Sequence, residues 1–271
     1  MAMALLLAAA AGAGVLPAAP QTAAAAEREP LQITVEPGFD GNMKMGSWFP
    51  VKATVTNPGS DVSGELAIHW SESGSESVYA QRVDLPAGST KVVWFTLPGA
   101  SFNANNNRFA FHERGVGEGE EVPFSRNRVY VETRMLPPEA LFVGVAARDP
   151  DTLNFLALLN RRGFQTVIAP LGDGGFPWKA AMLESFDAIA FNDWATDALT
   201  PEQVRSIEAW VRSGGTLILA GGAGYAKTAE AFRELSPVRV AGTASVDRLT
   251  AFERAAGTEL TLTSPLTVSR G

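Results

Sequence analysis

Cysteine is absent and histidine nearly so, with only His69 and His112 among 271 residues. No disulfide, thiolate nucleophile, iron–sulfur cluster or thiolate zinc site can form, and a histidine-rich metal centre is excluded too. Clustered positive charge is also lacking: 22 basic against 29 acidic side chains leave a net charge of −7. With a pI near 5.0, neither nucleic acid nor an anionic membrane is expected as a partner. No stretch supplies the ~20 apolar residues that a membrane helix needs. The chain does have enough length for one large or two ordinary domains of roughly 150 residues, each burying its own core.

Residues 1–26 are alanine-rich and uncharged, apolar from Met1 to Leu16, broken at Pro17, and end in Ala23-Ala24-Ala25-Ala26 before Glu27. Small residues at such a junction are what a signal peptidase accepts, so this segment reads as a secretory signal cleaved after Ala26, although it lacks the usual basic residue near its start.

From Leu31 onward, short alternating runs are punctuated by turn residues. They are Leu31–Val35, Phe49–Val55, Glu65–Trp70, Val78–Val83, Thr90–Thr96, Arg108–His112 and Arg128–Thr133. Alternation at period two places one face of each run in a core. Asn57-Pro58-Gly59-Ser60, Pro86-Ala87-Gly88 and Asn103–Asn107 favour turns over ladder pairing. The expectation over residues 27–136 is an all-β, immunoglobulin-like sandwich without its disulfide.

The period changes at Pro137-Pro138. Nearly all-apolar runs at Leu141–Ala146, Gln165–Ala169, Ala188–Phe191 and Thr216–Ala220 alternate with helical segments. That is the signature of βαβ units around a mostly parallel sheet covered on both faces. Asp149-Pro150 predicts a helix start, with Leu153, Leu156 and Leu159 on one face and Arg161-Arg162-Gly163 as its end. Thr200-Pro201-Glu202-Gln203 is a capping box; Val204, Ile207, Trp210 and Val211 form the buried stripe, and Gly214-Gly215 stops the helix. Two weaker helices are expected over 178–185 and 225–235. Residues 137–271 therefore read as a three-layer α/β domain.

Phe191-Asn192-Asp193-Trp194, the capped helix after Leu199, and Gly214-Gly215-Thr216-Leu217-Ile218-Leu219-Ala220-Gly221-Gly222 together resemble the class I glutamine amidotransferase-like domains of bacterial envelope proteins. The stretch from Val35-Glu36-Pro37-Gly38-Phe39 to Asn57 resembles the sandwich such proteins carry in front. The resemblance implies a flavodoxin-like fold and an exported protein that works in the envelope. It also implies that similar proteins continue beyond this point, often into a membrane anchor. Where the enzymes place cysteine in a Gly-x-Cys-x-Gly turn, this chain has Ala220-Gly221-Gly222-Ala223-Gly224-Tyr225, so the resemblance implies the fold without the chemistry.

Open α/β sheets bind ligands beyond the carboxyl ends of their strands. A ligand crevice there would draw on Asp149, Asn192, Asp193, Trp194, Gly222 and Tyr225, with Asp173-Gly174-Gly175 beside them as a turn. Gly221 to Thr228 is one residue from a phosphate-binding loop, but Ala226 stands where its last glycine belongs, so it reads as a packing turn. His69 and His112 read as half-buried strand residues, and Glu118–Glu121 as a solvated loop. No catalytic residue, metal ligand or cofactor is assigned. The leading expectation is a non-catalytic interaction or scaffolding module with envelope protein partners. Two alternatives are a hydrolase using Asp193 or Asp149 as base, and a carbohydrate-binding module using Trp48, Trp94 and Tyr79.

Overall fold

A computed structural model describes residues 28–72, 74–99, 106–126, 128–158, 165–172 and 176–271. The expected signal segment, the end of the helix after Asp149 and the Asp173-Gly174-Gly175 turn lie outside the described residues, as does most of the Asn103–Asn107 turn.

Period-two alternation builds the first half. Strands β1 (Gln32–Pro37), β3 (Trp48–Thr56) and β6 (Thr90–Pro98) form one antiparallel sheet in the order β1-β3-β6. Strands β4 (Val62–Glu72), β5 (Ser75–Leu85), β7 (Asn107–Glu113) and β8 (Glu121–Val122) form a second, in the order β5-β4-β7-β8. Phe49, Val51, Ala53 and Val55 point inward from β3, facing Leu66, Ile68 and Phe111 across a continuous core, so the two sheets make a sandwich. Each such aromatic contributes about 1.5–3 kcal/mol by leaving water.

Six of the seven expected strands form. The seventh, over 128–133, forms no strand: Phe109 N–H of β7 donates to the Val129 carbonyl, while the Asn107 side chain holds both backbone groups of Val131, accepting from its N–H at Oδ1 and donating from Nδ2 to its carbonyl. Val129 and Val131 still enter the core. The place beside β7 goes instead to the two-residue β8.

Strands β2 (Asn42–Lys44) and β9 (Arg134–Leu136) pair in parallel and lead from the sandwich to the second half. There β10 (Leu141–Ala147), β11 (Thr166–Pro170), β12 (Ala188–Asn192) and β13 (Thr216–Leu219) form a parallel sheet in the order β11-β10-β12-β13. Helix α1 (Pro201–Arg212) starts at the expected capping box. Thr200 Oγ1 accepts from Gln203 N–H, the Gln203 side chain returns a bond to Thr200 N–H, and Ile207 and Trp210 are buried. One sheet face packs under α1 through a core of Phe142, Phe186, Phe191 and Phe232.

The opposite face is thinner. Val143, Val145 and Ala188 are covered by Leu153 and Leu156 of a 3-10 helix, Pro150–Leu158, rather than by the expected α-helix. The segment expected as a helix over 178–185 is a 3-10 turn, Ala180–Leu183, while 225–235 divides into α2 (Tyr225–Ala229) and the 3-10 turn Glu230–Phe232. A hairpin of β14 (Gly242–Val246) and β15 (Leu266–Arg270), with α3 (Thr250–Ala256) between its strands, closes the chain.

Charged and aromatic contacts join the halves. Lys44 Nζ donates to both oxygens of Asp187 at 2.7 and 2.8 Å, while Asp187 also accepts from Phe142 N–H. Phe39 packs on Phe186 and meets Phe142 edge-to-face, and Trp94 meets Trp178 edge-to-face.

Candidate functional site

Parallel pairing aligns the carboxyl ends of β10, β12 and β13. Ala147 lies opposite Asn192, so the residues that follow each strand, Arg148 and Asp193, emerge side by side. The loop from Gly221 to Gly224 follows β13 on the other flank and opens α2. Together they bound an open crevice of about 680 Å³ lined by Arg148, Asp193, Gly221, Ala223, Gly224, Ala226 and Lys227.

Asp193 is its centre. Its backbone is left-handed (φ 51°), uncommon for a residue with a side chain, and this turns the carboxylate back across the strand ends. Lys227 Nζ reaches Oδ1 at 2.7 Å and Arg148 Nε reaches Oδ2 at 3.0 Å. The Lys227 hydrogen bond, aided by the Arg148 charge, holds this carboxyl below the usual carboxylate range against a smaller opposing effect of desolvation. A Cβ at Gly224 would lie 2.4 Å from Asp193 Oδ1, so a side chain there would displace the Asp193 carboxylate. With two cations and one carboxylate, the crevice has a small positive excess and a base that is already engaged.

The six residues expected to line a crevice do not converge on it. Asp193 does, and Gly222 shapes its loop with φ +91° and an N–H donated to Ser269 Oγ. Asp149 instead accepts from Asp151 N–H at the start of the 3-10 helix. Asn192 contributes its carbonyl to Arg148 N–H. Trp194 packs on Phe176 and Phe191. Tyr225 faces a neighbouring hollow beside Ala229, Val238 and Val240. Sequence reasoning left out Arg148 and Lys227 as site residues. Their signal was available: each sits within the stretch following an apolar strand, where side chains reach the crevice.

The three rings suggested for sugar binding are not brought together either. Tyr79 lies on β5 and packs against the sandwich core, and the same burial raises its pKa. Trp48 and Trp94 lie on the other sheet, where Trp94 is engaged by Trp178. The two histidines, by contrast, do meet. His69 Nε2 lies 2.8 Å from His112 Nε2, and His69 Nδ1 lies 2.8 Å from Glu76 Oε1. Among the described residues, no group of three or more metal-ligating side chains converges.

Residues 30–132, the sandwich half, match the family described as "Domain of unknown function (DUF8726)". No curated protein matches the chain. Among solved structures it is similar to the CARDB domain of a Pyrococcus furiosus protein in complex with di-metal ions. That likeness has a TM-score of 0.28 and 13% identity, over 39% of this chain and 87% of that one. It is also similar to Cwp6 from Clostridium difficile, with a TM-score of 0.23 and 8% identity over 75% of this chain and 39% of that one. A third is a Paenibacillus sp. cycloisomaltooligosaccharide glucanotransferase complexed with cycloisomaltoheptaose, with a TM-score of 0.25 and 12% identity over 88% of this chain and 34% of that one. None of these scores reaches the level at which two chains share an overall fold.

Proposed function

We propose that the protein is a non-catalytic, exported module of the cell envelope that acts by interaction or scaffolding. In this reading residues 1–26 direct export, residues 27–136 are an immunoglobulin-like sandwich, and residues 137–271 are an amidotransferase-like domain without its chemistry. The strand orders β1-β3-β6 and β5-β4-β7-β8 support the immunoglobulin-like assignment, since they divide a Greek-key succession between two sheets. The parallel order β11-β10-β12-β13 with a capped helix before β13 supports the second. Among the described residues, no helix is long and apolar enough to cross a membrane.

The observation that carries the non-catalytic reading is the state of Asp193. A general base works best when its pKa lies near the operating pH, and a nucleophile needs an adjacent base to activate it. Asp193 is instead held as a carboxylate by Lys227 and Arg148, and the residues lining its crevice include no hydroxyl, thiol or imidazole.

The test is a turnover screen of the purified chain with glutamine and with chromogenic esters, phosphoesters and glycosides. No release above background is expected. Turnover that disappears in Asp193→Asn would overturn the proposal in favour of a hydrolase. Export is tested separately by fractionating the native host: an extracytoplasmic species shortened to Glu27 is expected, and an uncleaved cytoplasmic one would exclude it.

A further inference from the structure

The histidine pair lies on the sandwich sheet opposite to the one that carries Trp48 and Trp94. On the outer face of β4 and β7, Ala67 pairs directly with Ala110, while His69 and His112 flank that pair diagonally. The two alanines are fully buried, and their methyl groups leave room for the rings to meet above them. The contact joins Nε2 to Nε2 at 2.8 Å, with ring centroids 5.1 Å apart. A carboxylate can only accept, so the Glu76 contact keeps the His69 proton on Nδ1 and leaves a lone pair on Nε2. His112 Nε2–H donates to that lone pair.

We infer that His69 and His112 form a two-nitrogen site for a borderline divalent transition metal such as Zn²⁺, with Glu76 as the carboxylate that orients His69. A ligating histidine commonly donates its other ring N–H to a carboxylate, and this fixes its tautomer and raises its basicity; Glu76 occupies that place. With the two nitrogens 2.8 Å apart and pointing at each other, an ion about 2.0 Å from each would subtend about 90°, and parting the nitrogens to about 3.3 Å brings that angle near tetrahedral. Each ring has only to tilt until its nitrogen points at a common vertex above the sheet. The His112 proton moves from Nε2 to Nδ1, so both ligands stay neutral. Water fills the remaining positions. Oxygen-preferring Ca²⁺ and Mg²⁺ have no reason to bind two imidazoles.

The test is calorimetric titration of Zn²⁺ into the full chain near neutral pH, with Mg²⁺ and Ca²⁺ as contrasts. One saturable Zn²⁺ site is expected. His69→Ala and His112→Ala should each abolish it, and Glu76→Gln should weaken it by about 10–100-fold. Circular dichroism of the metal-free variants checks that they fold. A readout on the unaltered chain is the imidazole nitrogen spectrum, in which both Nε2 resonances should move on adding Zn²⁺. No saturable uptake, uptake unchanged in His112→Ala, or shifts confined to carboxylates would overturn the inference.

Discussion

The sandwich, built from alternating strands, and the parallel-sheet half, built from nearly all-apolar ones, differ in how completely they are covered. In the sandwich the two sheets cover each other: Phe49, Leu66, Ile68 and Phe111 are fully buried, with β3 and β4 at the centre of their sheets. In the parallel-sheet half only β10 and β12 reach that state. β13 is an edge strand whose Ile218 is 45% exposed, while Phe155 and Leu158 of the 3-10 helix are 56% and 82% exposed. Two sheets placed face to face satisfy one another, whereas a parallel sheet depends on helices over both faces, and here one face has a single 3-10 helix among the described residues. Stability should therefore reside in the sandwich and tolerance to substitution in the second half.

The largest expected effect is at Phe111. Truncation to Ala leaves a cavity at the centre of the sandwich and should cost about 3–5 kcal/mol in urea unfolding. Gly64→Ala comes next, because the new Cβ would lie 2.2 Å from the His112 carbonyl oxygen of the paired strand. A loss of about 1–3 kcal/mol is expected, together with a displaced His112 that nitrogen NMR would register. Thr200→Ala removes the cap of α1 and should cost about 1 kcal/mol.

His112 adds a pH dependence. Its folded pKa lies below the unfolded value of about 6.5, so its contribution is complete above that value and is lost as pH falls through it toward the folded pKa. His112→Gln should flatten that part of the stability–pH curve. The smallest effect is expected at Phe155→Ala, within about 0.5 kcal/mol, since most of that ring is already in water. A large loss at Phe155 with a small one at Phe111 would invert the comparison.

Most elements were legible from periodicity and turn chemistry. The capping box at Thr200 gave the start of α1 because it depends on residues three apart, and the apolar runs at Leu141 and Ala188 gave β10 and β12 because both faces of those strands are buried. The segment expected as a strand over 128–133 is held by non-local contacts: the side chain of Asn107, more than twenty residues away, takes both backbone groups of Val131, and Phe109 N–H of β7 donates to the Val129 carbonyl. The site was legible only in part. The strand ends pointed to Asp193 but also to Asp149 and Trp194, whose side chains have local occupations as a turn acceptor and as part of an aromatic core.

The sequence by itself determined the absence of thiol chemistry, the acidic balance, the change from period two to helical period after Pro137, and the caps and turns between elements. These are properties of single residues and of neighbours within a few positions. Only the tertiary structure decided that Lys227 and Arg148 close on Asp193, and that His69 meets His112 across two strands with Glu76 behind it. Those contacts depend on strand register, and register is set by the packing of whole sheets rather than by any residue in them.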